Sequence, residues 1–192
     1  MTYANAVLPH SLFAAAEHWP DGPFLEVAEA TFSFLARETT KDGVFWPVGN
    51  LDWYTRGEPK SPYDQQPVEA ATMAEAALAA CAVRAMAGHR VTFLRAHAWF
   101  DGRNSLGLAL VDPLTGGCCD GLQPDGLNRN QGAESTLAAL WTRWLGIATR
   151  KLYCTDDELA LGPHPSSPSV QEHTTHDAQQ EAATLSRNIS TP

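Results

Sequence analysis

The sequence predicts an all-α protein built as a ring of antiparallel helical hairpins. One observation is an internal repeat: Gln66 stands three residues before Glu69, and Gln131 stands three residues before Glu134, at an offset of 65 residues. A polar loop precedes each copy and an alanine-rich helix follows it, a pattern typical of stacked helical hairpins. The other observation is an alternation of short and long loops, with nearly apolar and amphipathic helices in turn.

Five helices follow from apolar periodicity and from punctuation by Pro and Gly. The first, residues 7–18, has little polar surface, so we expect it to be buried on nearly all sides. The second, residues 23–37, is amphipathic and should expose one face. The third, residues 67–87, is alanine-rich and again expected to be buried all round.

The fourth helix is predicted to end near Asp101, and the fifth covers residues 131–150 with an apolar surface. Long loops at 40–65 and 102–130 precede the third and fifth helices. Because successive helices are antiparallel, both long loops must lie at the same end of the ring. Inner, buried helices therefore begin where the unusual polar residues collect.

Composition excludes several classes of function. The net charge is −9, with 44% apolar residues, which argues against nucleic acid and against an anionic membrane surface as partners. Neither a signal peptide nor a membrane-spanning run is predicted, so we expect a cytoplasmic protein without a cofactor. The four cysteines lack a CxxC spacing, and we interpret them as free structural thiols.

The predicted domain covers residues 1–160, and a disordered tail rich in Ser, Pro and His covers 161–192. Within this tail, His173 and His176 have a helical i, i+3 spacing. Two histidines without further ligands do not define a metal site, so no metal is predicted.

The candidate site is a set of carboxylates and amides at the loop-bearing end. Sugar sites use such groups, because amides and carboxylates bind hydroxyls in pairs and two carboxyls can act as acid and base across a glycosidic bond. The alternative is that each one caps a helix or forms a turn. The predicted catalytic residues are Asp64, Glu69, Asp120 and Glu134, and the predicted substrate-binding polar residues are Gln65, Gln66, Asp125, Asn130 and Gln131.

Three aromatic residues lie in the first long loop rather than on a helix: Trp46, Trp53 and Tyr54. They would either stack on the apolar face of a pyranose or fill the ring as a loop core. His10, at the start of the first helix, is either a proton carrier or a packing residue.

Six segments in order carry a family resemblance: VGN at 48–50, YDQQPVEA at 63–70, GRNSLG at 102–107, DPLTGGC at 112–118, DGL at 120–122 and NQGAEST at 130–136. Over roughly residues 3–146 the chain resembles the glycosidase-like helical domain that is fused behind bacterial retaining glycosyltransferases. The resemblance implies an (α/α) toroid of the six-hairpin glycosidase superfamily and a role in carbohydrate metabolism. The sugar-site positions that it implies are Asp64, Gln66, Glu69, Asp120, Asn130 and Glu134. Asn50, in the VGN segment, is also predicted to bind substrate.

The chain departs from this family in two ways. Gln123 stands where relatives usually have His, and about two and a half hairpins are present where a complete toroid has about six. The expected fold is therefore an incomplete (α/α) toroid, similar to the C-terminal half of the family domain. An incomplete ring exposes apolar helix faces, so we expect a homodimer, a second half-toroid or a glycosyltransferase chain as partner.

Three functions remain open at this point. The first is a glycosidase-like module acting on a saccharide. The second is a non-catalytic module that binds glycan or docks on a glycosyltransferase. The third is a sugar epimerase or isomerase, for which His10 alone does not supply a proton-transfer pair.

Overall fold

The structure, a computed structural model, describes residues 1–153, and about half of these are helical. The tail predicted over 161–192, with His173 and His176, lies outside the described residues. Five α-helices and four short strands follow one another in the described part. They are α1 Val7–His18, α2 Phe24–Glu38, β1 Thr40–Lys41, β2 Val44–Phe45, α3 Pro67–Val83, α4 Ala87–Trp99, β3 Gly121–Gln123, β4 Gly126–Asn128 and α5 Ala133–Tyr153.

Helix α3 is the centre of the fold, and it packs against α1, α4 and α5. Pro67 occupies its first turn, where a missing N–H costs no helical hydrogen bond. Alanines such as Ala70, Ala71 and Ala76 are buried on different sides of the helix. Because alanine side chains are small, three neighbouring helices can approach α3 closely. The prediction that this helix is buried all round is confirmed.

Helices α2 and α4 pack on the outside of this centre. As predicted, α2 is amphipathic, with Ala28, Phe32 and Leu35 buried. The His89 ring lies between α1 and α2, edge-on to Phe32 at 5.4 Å and to Phe13 at 6.1 Å between ring centroids. Its Nε2 lies 3.1 Å from Glu29 Oε2, so one buried imidazole joins three helices.

Two expectations about burial are wrong. Leu8 on helix α1 is 70% exposed, and Ile147 on α5 is 75% exposed. Within residues 1–153 the main neighbours of α1 are α2 and α3, and those of α5 are α3 and α4. Their remaining apolar side chains consequently face solvent.

The fold is mostly helical rather than all-α, because each long loop contains a two-stranded antiparallel sheet. In the first sheet Thr40 pairs with Phe45 and Lys41 with Val44. Its turn is formed by Asp42 and Gly43, with φ of 52° and 79°. Positive φ at both central residues is the geometry that favours Asp-Gly in tight hairpins. The second sheet pairs β3 with β4. Within residues 1–153, no helix is long and apolar enough to span a bilayer.

Candidate functional site

The two long loops are joined at the end of the molecule where α3 and α5 begin. The Gln65 N–H donates to the Leu122 carbonyl, and the Leu122 N–H donates to the Gln65 carbonyl, both at 2.9 Å. In the first loop the Asn50 N–H donates to the Asp64 carbonyl at 2.8 Å. The loops therefore lie at one end, as the alternation of loop lengths predicted.

Two glycines allow this junction to close. A Cβ at Gly121 would lie 2.4 Å from the Gln65 carbonyl oxygen, and one at Gly49 would lie 1.9 Å from the Tyr63 carbonyl oxygen. Real Cβ atoms do not approach backbone atoms so closely, so both positions require glycine. Gly49 and Gly121 thus have a steric role in the contact between the two long loops.

Asp64 and Asp120 form an acidic pair at the junction. Burial raises the pKa of Asp64, and the negative charge of Asp120 raises it further, against a hydrogen bond from Gln66. The Asp64 Oδ1 atom is buried and has no hydrogen-bond partner among the described residues. Burial and the neighbouring charge thus favour the protonated form of Asp64 more than they would in an exposed aspartate.

The pKa of Asp120 is shifted in the opposite direction from that of Asp64. Burial alone would raise its pKa, but hydrogen bonds from Ser135, Asn130 and the Gly132 N–H together hold the pKa below its usual range. The Gly132 N–H lies 2.8 Å from Asp120 Oδ1, just before the start of α5. Asp120 thus caps the helix and stays ionised, since each of these donors favours the anion.

The other two predicted catalytic carboxylates, Glu69 and Glu134, both accept hydrogen bonds from residues near the N-terminus. Glu69 is only 7% exposed, and its Oε1 accepts a hydrogen bond from the Ala4 N–H at 2.5 Å. Burial raises the Glu69 pKa, although hydrogen bonds from Ala4 and Asn5 oppose this effect. Glu134 is exposed and accepts a hydrogen bond from the Tyr3 hydroxyl at 2.6 Å. Both carboxylates therefore lie on one side of the molecule.

Tyr3 connects these two glutamates, and sequence reasoning missed it. Burial, the hydrogen bond to Glu134 and the charges of Glu134 and Glu69 raise the Tyr3 pKa to about 12. The hydroxyl consequently remains a hydrogen-bond donor at neutral pH. No local pattern around Tyr3 indicates this contact, because its partner is 131 residues away in the chain.

Gln65 was predicted to bind substrate, but the structure uses its whole side chain internally. It is 0% exposed. Its Nε2 donates to the Pro62 carbonyl at 2.9 Å and to Ser105 Oγ at 2.7 Å, while its Oε1 accepts from Trp99 Nε1 at 3.3 Å. Gln65 therefore anchors the first long loop to the core beneath the acidic pair.

Of the four remaining predicted polar residues, two contact the acidic pair and two have other surroundings. Half-buried Gln66 donates to Asp64, and Asn130 Nδ2 donates to Asp120 Oδ2. Gln131 turns away, because its Oε1 accepts from Thr115 Oγ1 at 3.4 Å. Asp125 is exposed in the turn between β3 and β4. The structure thus brings Gln66 and Asn130 to the pair and places Gln131 on a neighbouring turn.

Of the three aromatic candidates, Trp53 lies nearest to the acidic pair in the hydrogen-bond network. It is 50% exposed, and its Nε1 donates to Asn50 Oδ1 at 3.0 Å. The Asn50 N–H donates to the Asp64 carbonyl, so Asn50 links the Trp53 indole to the acidic pair. Trp53 and Asn50 together present an aromatic surface and an amide beside Asp64.

Trp46 and Tyr54 occupy different environments. Trp46 Nε1 donates to the Pro62 carbonyl at 3.3 Å, and the Lys41 ammonium lies 4.5 Å from the centre of its ring. Tyr54 lines a pocket of about 470 Å³ together with Met1, Phe34 and Arg56. His10 is half-buried in the first turn of α1. None of the contacts given for these three residues involves a predicted catalytic carboxylate.

A metal centre is not indicated, since within the part of the chain that the structure describes no three His, Cys, Asp or Glu residues are grouped to hold an ion. Cys81, Cys118 and Cys119 are buried and not in disulfides. Comparison with protein-family models and with curated proteins finds no match for the chain.

Proposed function

We propose that this chain is part of an incomplete (α/α) toroid that acts on a saccharide at the end where α3 and α5 begin. The observation that supports this proposal most strongly is the Asp64–Asp120 pair, whose pKa values are displaced in opposite directions. Neighbouring carboxyls with separated pKa values can divide the roles of acid and base between them. Glycoside cleavage requires such a division.

In this proposal Asp64 is the proton donor and Asp120 is the anionic partner. The pKa of Asp64 is raised by burial, which makes it the better proton donor of the two carboxyls towards a leaving-group oxygen. Asp120 remains charged through its hydrogen bonds and can activate water or stabilise positive charge on the sugar. Glu134 and Tyr3 then border the site, and the buried Glu69 supports it.

Sugar recognition in this proposal uses Trp53 and Asn50. A half-exposed indole provides an apolar face on which a pyranose ring can stack. The Asn50–Trp53 hydrogen bond fixes the orientation of that face before a ligand arrives. Less conformational freedom is then lost on binding.

The decisive experiment is the substitution Asp64→Asn, tested for turnover of a panel of oligosaccharides. Loss of a general acid should lower kcat by about 10² to 10⁴-fold. Asp21→Asn is the matched control, because that carboxylate is exposed in the turn between α1 and α2. Asp120→Asn is less informative, since it also weakens the cap of α5. Unchanged turnover in Asp64→Asn would remove the proposed acid.

A non-catalytic module that binds glycan or docks on a glycosyltransferase is the second candidate. It is favoured by the side chains of Gln65 and Glu69, which are occupied by contacts within the protein. Saturable binding of an oligosaccharide without any product, abolished by Trp53→Ala and retained by Asp64→Asn, would select this candidate over the hydrolytic one.

A further inference from the structure

Helix α5 is apolar on two opposite sides, and only one of them is covered within residues 1–153. The buried side consists of small residues: Ser135, Ala138, Ala139, Thr142 and Gly146. They allow close packing against α3 and α4, so that a Cβ at Gly146 would lie 2.5 Å from His97 Nε2. The large side chains of α5 point away from this contact.

An outward stripe of four residues lies opposite the fully buried Thr142. At 100° per residue, positions 137, 140, 144 and 147 all fall within about 40° of the direction opposite residue 142. Leu137, Leu140, Trp144 and Ile147 are 64%, 53%, 53% and 75% exposed. We call these four residues the α5 stripe.

The edges of the α5 stripe are fixed by contacts with the rest of the protein. Trp141 is 45% exposed, stacks on Trp144 with 4.8 Å between ring centroids and donates from Nε1 to Glu75 Oε1 at 2.5 Å. On the other edge Arg143 Nη2 lies 3.0 Å from Asp101 Oδ1. An apolar centre with a polar border and ordered side chains is the usual anatomy of a protein interface.

The size of the surface also fits an interface. With Trp141 the stripe presents on the order of 600 Å² of apolar area, the upper end of what single-chain proteins expose. A stable interface buries roughly 800 Å² on each partner, so the stripe would provide most of it.

We infer that the α5 stripe binds the same stripe of a second copy of this chain, with the two helices antiparallel about a two-fold axis near Thr142. The spacing is symmetric about that residue, because Leu137 and Ile147 are equally distant from it, as are Leu140 and Trp144. A two-fold interface needs such a self-complementary surface. Leu140 of one copy would then face Trp144 of the other. Residues 163–192 are a poorer occupant, since they are rich in Ser, Pro, His and Gln.

Sedimentation of the full chain at about 1 to 100 μM should show a monomer–dimer equilibrium. Leu140→Glu should weaken it by on the order of 100-fold, because the change occurs twice in each dimer. Val27→Glu is the matched control: Val27 is 49% exposed on α2, which packs against α1, so dimers should persist. Ile147→Lys is a second variant at a highly exposed position, and thermal melting verifies that each variant is folded.

A compensating pair tests the antiparallel arrangement. Leu140→Glu and Trp144→Lys should each dissociate the dimer, whereas the chain carrying both should associate again, because opposite charges then face each other across the axis. A full chain that is monomeric throughout this range overturns the inference. It is also overturned if the chain is monomeric and residues 154–192 cover the stripe, which would be seen as protection of its tryptophans from a soluble fluorescence quencher. Equal dissociation by Val27→Glu, or failure of the double variant to associate, overturns it as well.

Discussion

Replacing Gln65 by alanine is expected to destabilise the protein more strongly than most surface substitutions in the candidate site. The variant loses three hydrogen bonds, to Pro62, Ser105 and Trp99. Each contributes about 1 kcal/mol net, and leaving the buried Trp99 indole N–H unpaired costs a further 1 to 3 kcal/mol. A residual cavity adds to this, so the free energy of unfolding should fall by roughly 4 kcal/mol.

Urea denaturation followed by tryptophan fluorescence measures this change, and Gln66→Ala is the matched control at the adjacent half-buried position. The control should lose about 1 kcal/mol or less. A loss below about 1 kcal/mol for Gln65→Ala would show that the amide does not anchor the loop and that water or another conformer satisfies Trp99.

The remaining predictions concern backbone fit and pH. Gly121→Ala should destabilise the protein by about 2 kcal/mol or more, since its Cβ would lie 2.4 Å from the Gln65 carbonyl oxygen. In the same assay Gly88→Ala should stabilise α4 by up to about 1 kcal/mol, because no atom lies within 4 Å of the added Cβ. The folded-state pKa of Asp64 is raised above 3.8, so its contribution to stability is full below pH 3.8 and is lost as the pH rises through the raised value. Between about pH 4 and 7, Asp64→Asn should therefore lose less stability than the parent chain. The lowered pKa of Asp120 has the opposite sign, so Asp120→Asn should remove a contribution that is present above pH 3.8 and lost on acidification. Urea midpoints measured across this pH range check both signs, and parallel curves for Asp64→Asn and the parent chain would contradict the first.

The helices and the placement of the long loops could be predicted from the sequence because they depend on local patterns. Pro67 and the following alanines define the start and the burial of α3 without reference to distant residues. The convergence of the loops follows from counting antiparallel helices. The Asp42-Gly43 dipeptide is typical of a tight hairpin turn, so the first hairpin was predictable within the long loop at residues 40–65.

Features that depend on partners distant in sequence could not be predicted in this way. The burial of Gln65 is decided by Trp99 and Ser105, and the role of Glu69 by the peptide at Ala4. The exposure of α5 is likewise a property of its neighbours, since its apolar composition is equally consistent with full burial. Composition indicates what a helix can bury, and only the arrangement of the chain determines what covers it.

The alanine surface of α3 fixes the interaxial spacing of the whole assembly. Packed helices lie about 8 to 10 Å apart, depending on the side chains between them, and alanine permits the shorter values. Ala74 and Ala77 are 0% exposed, so a bulkier residue at either position would displace neighbouring helices together. The second long loop leads into α5, which packs on α3, so a larger side chain at these positions would also move the start of α5.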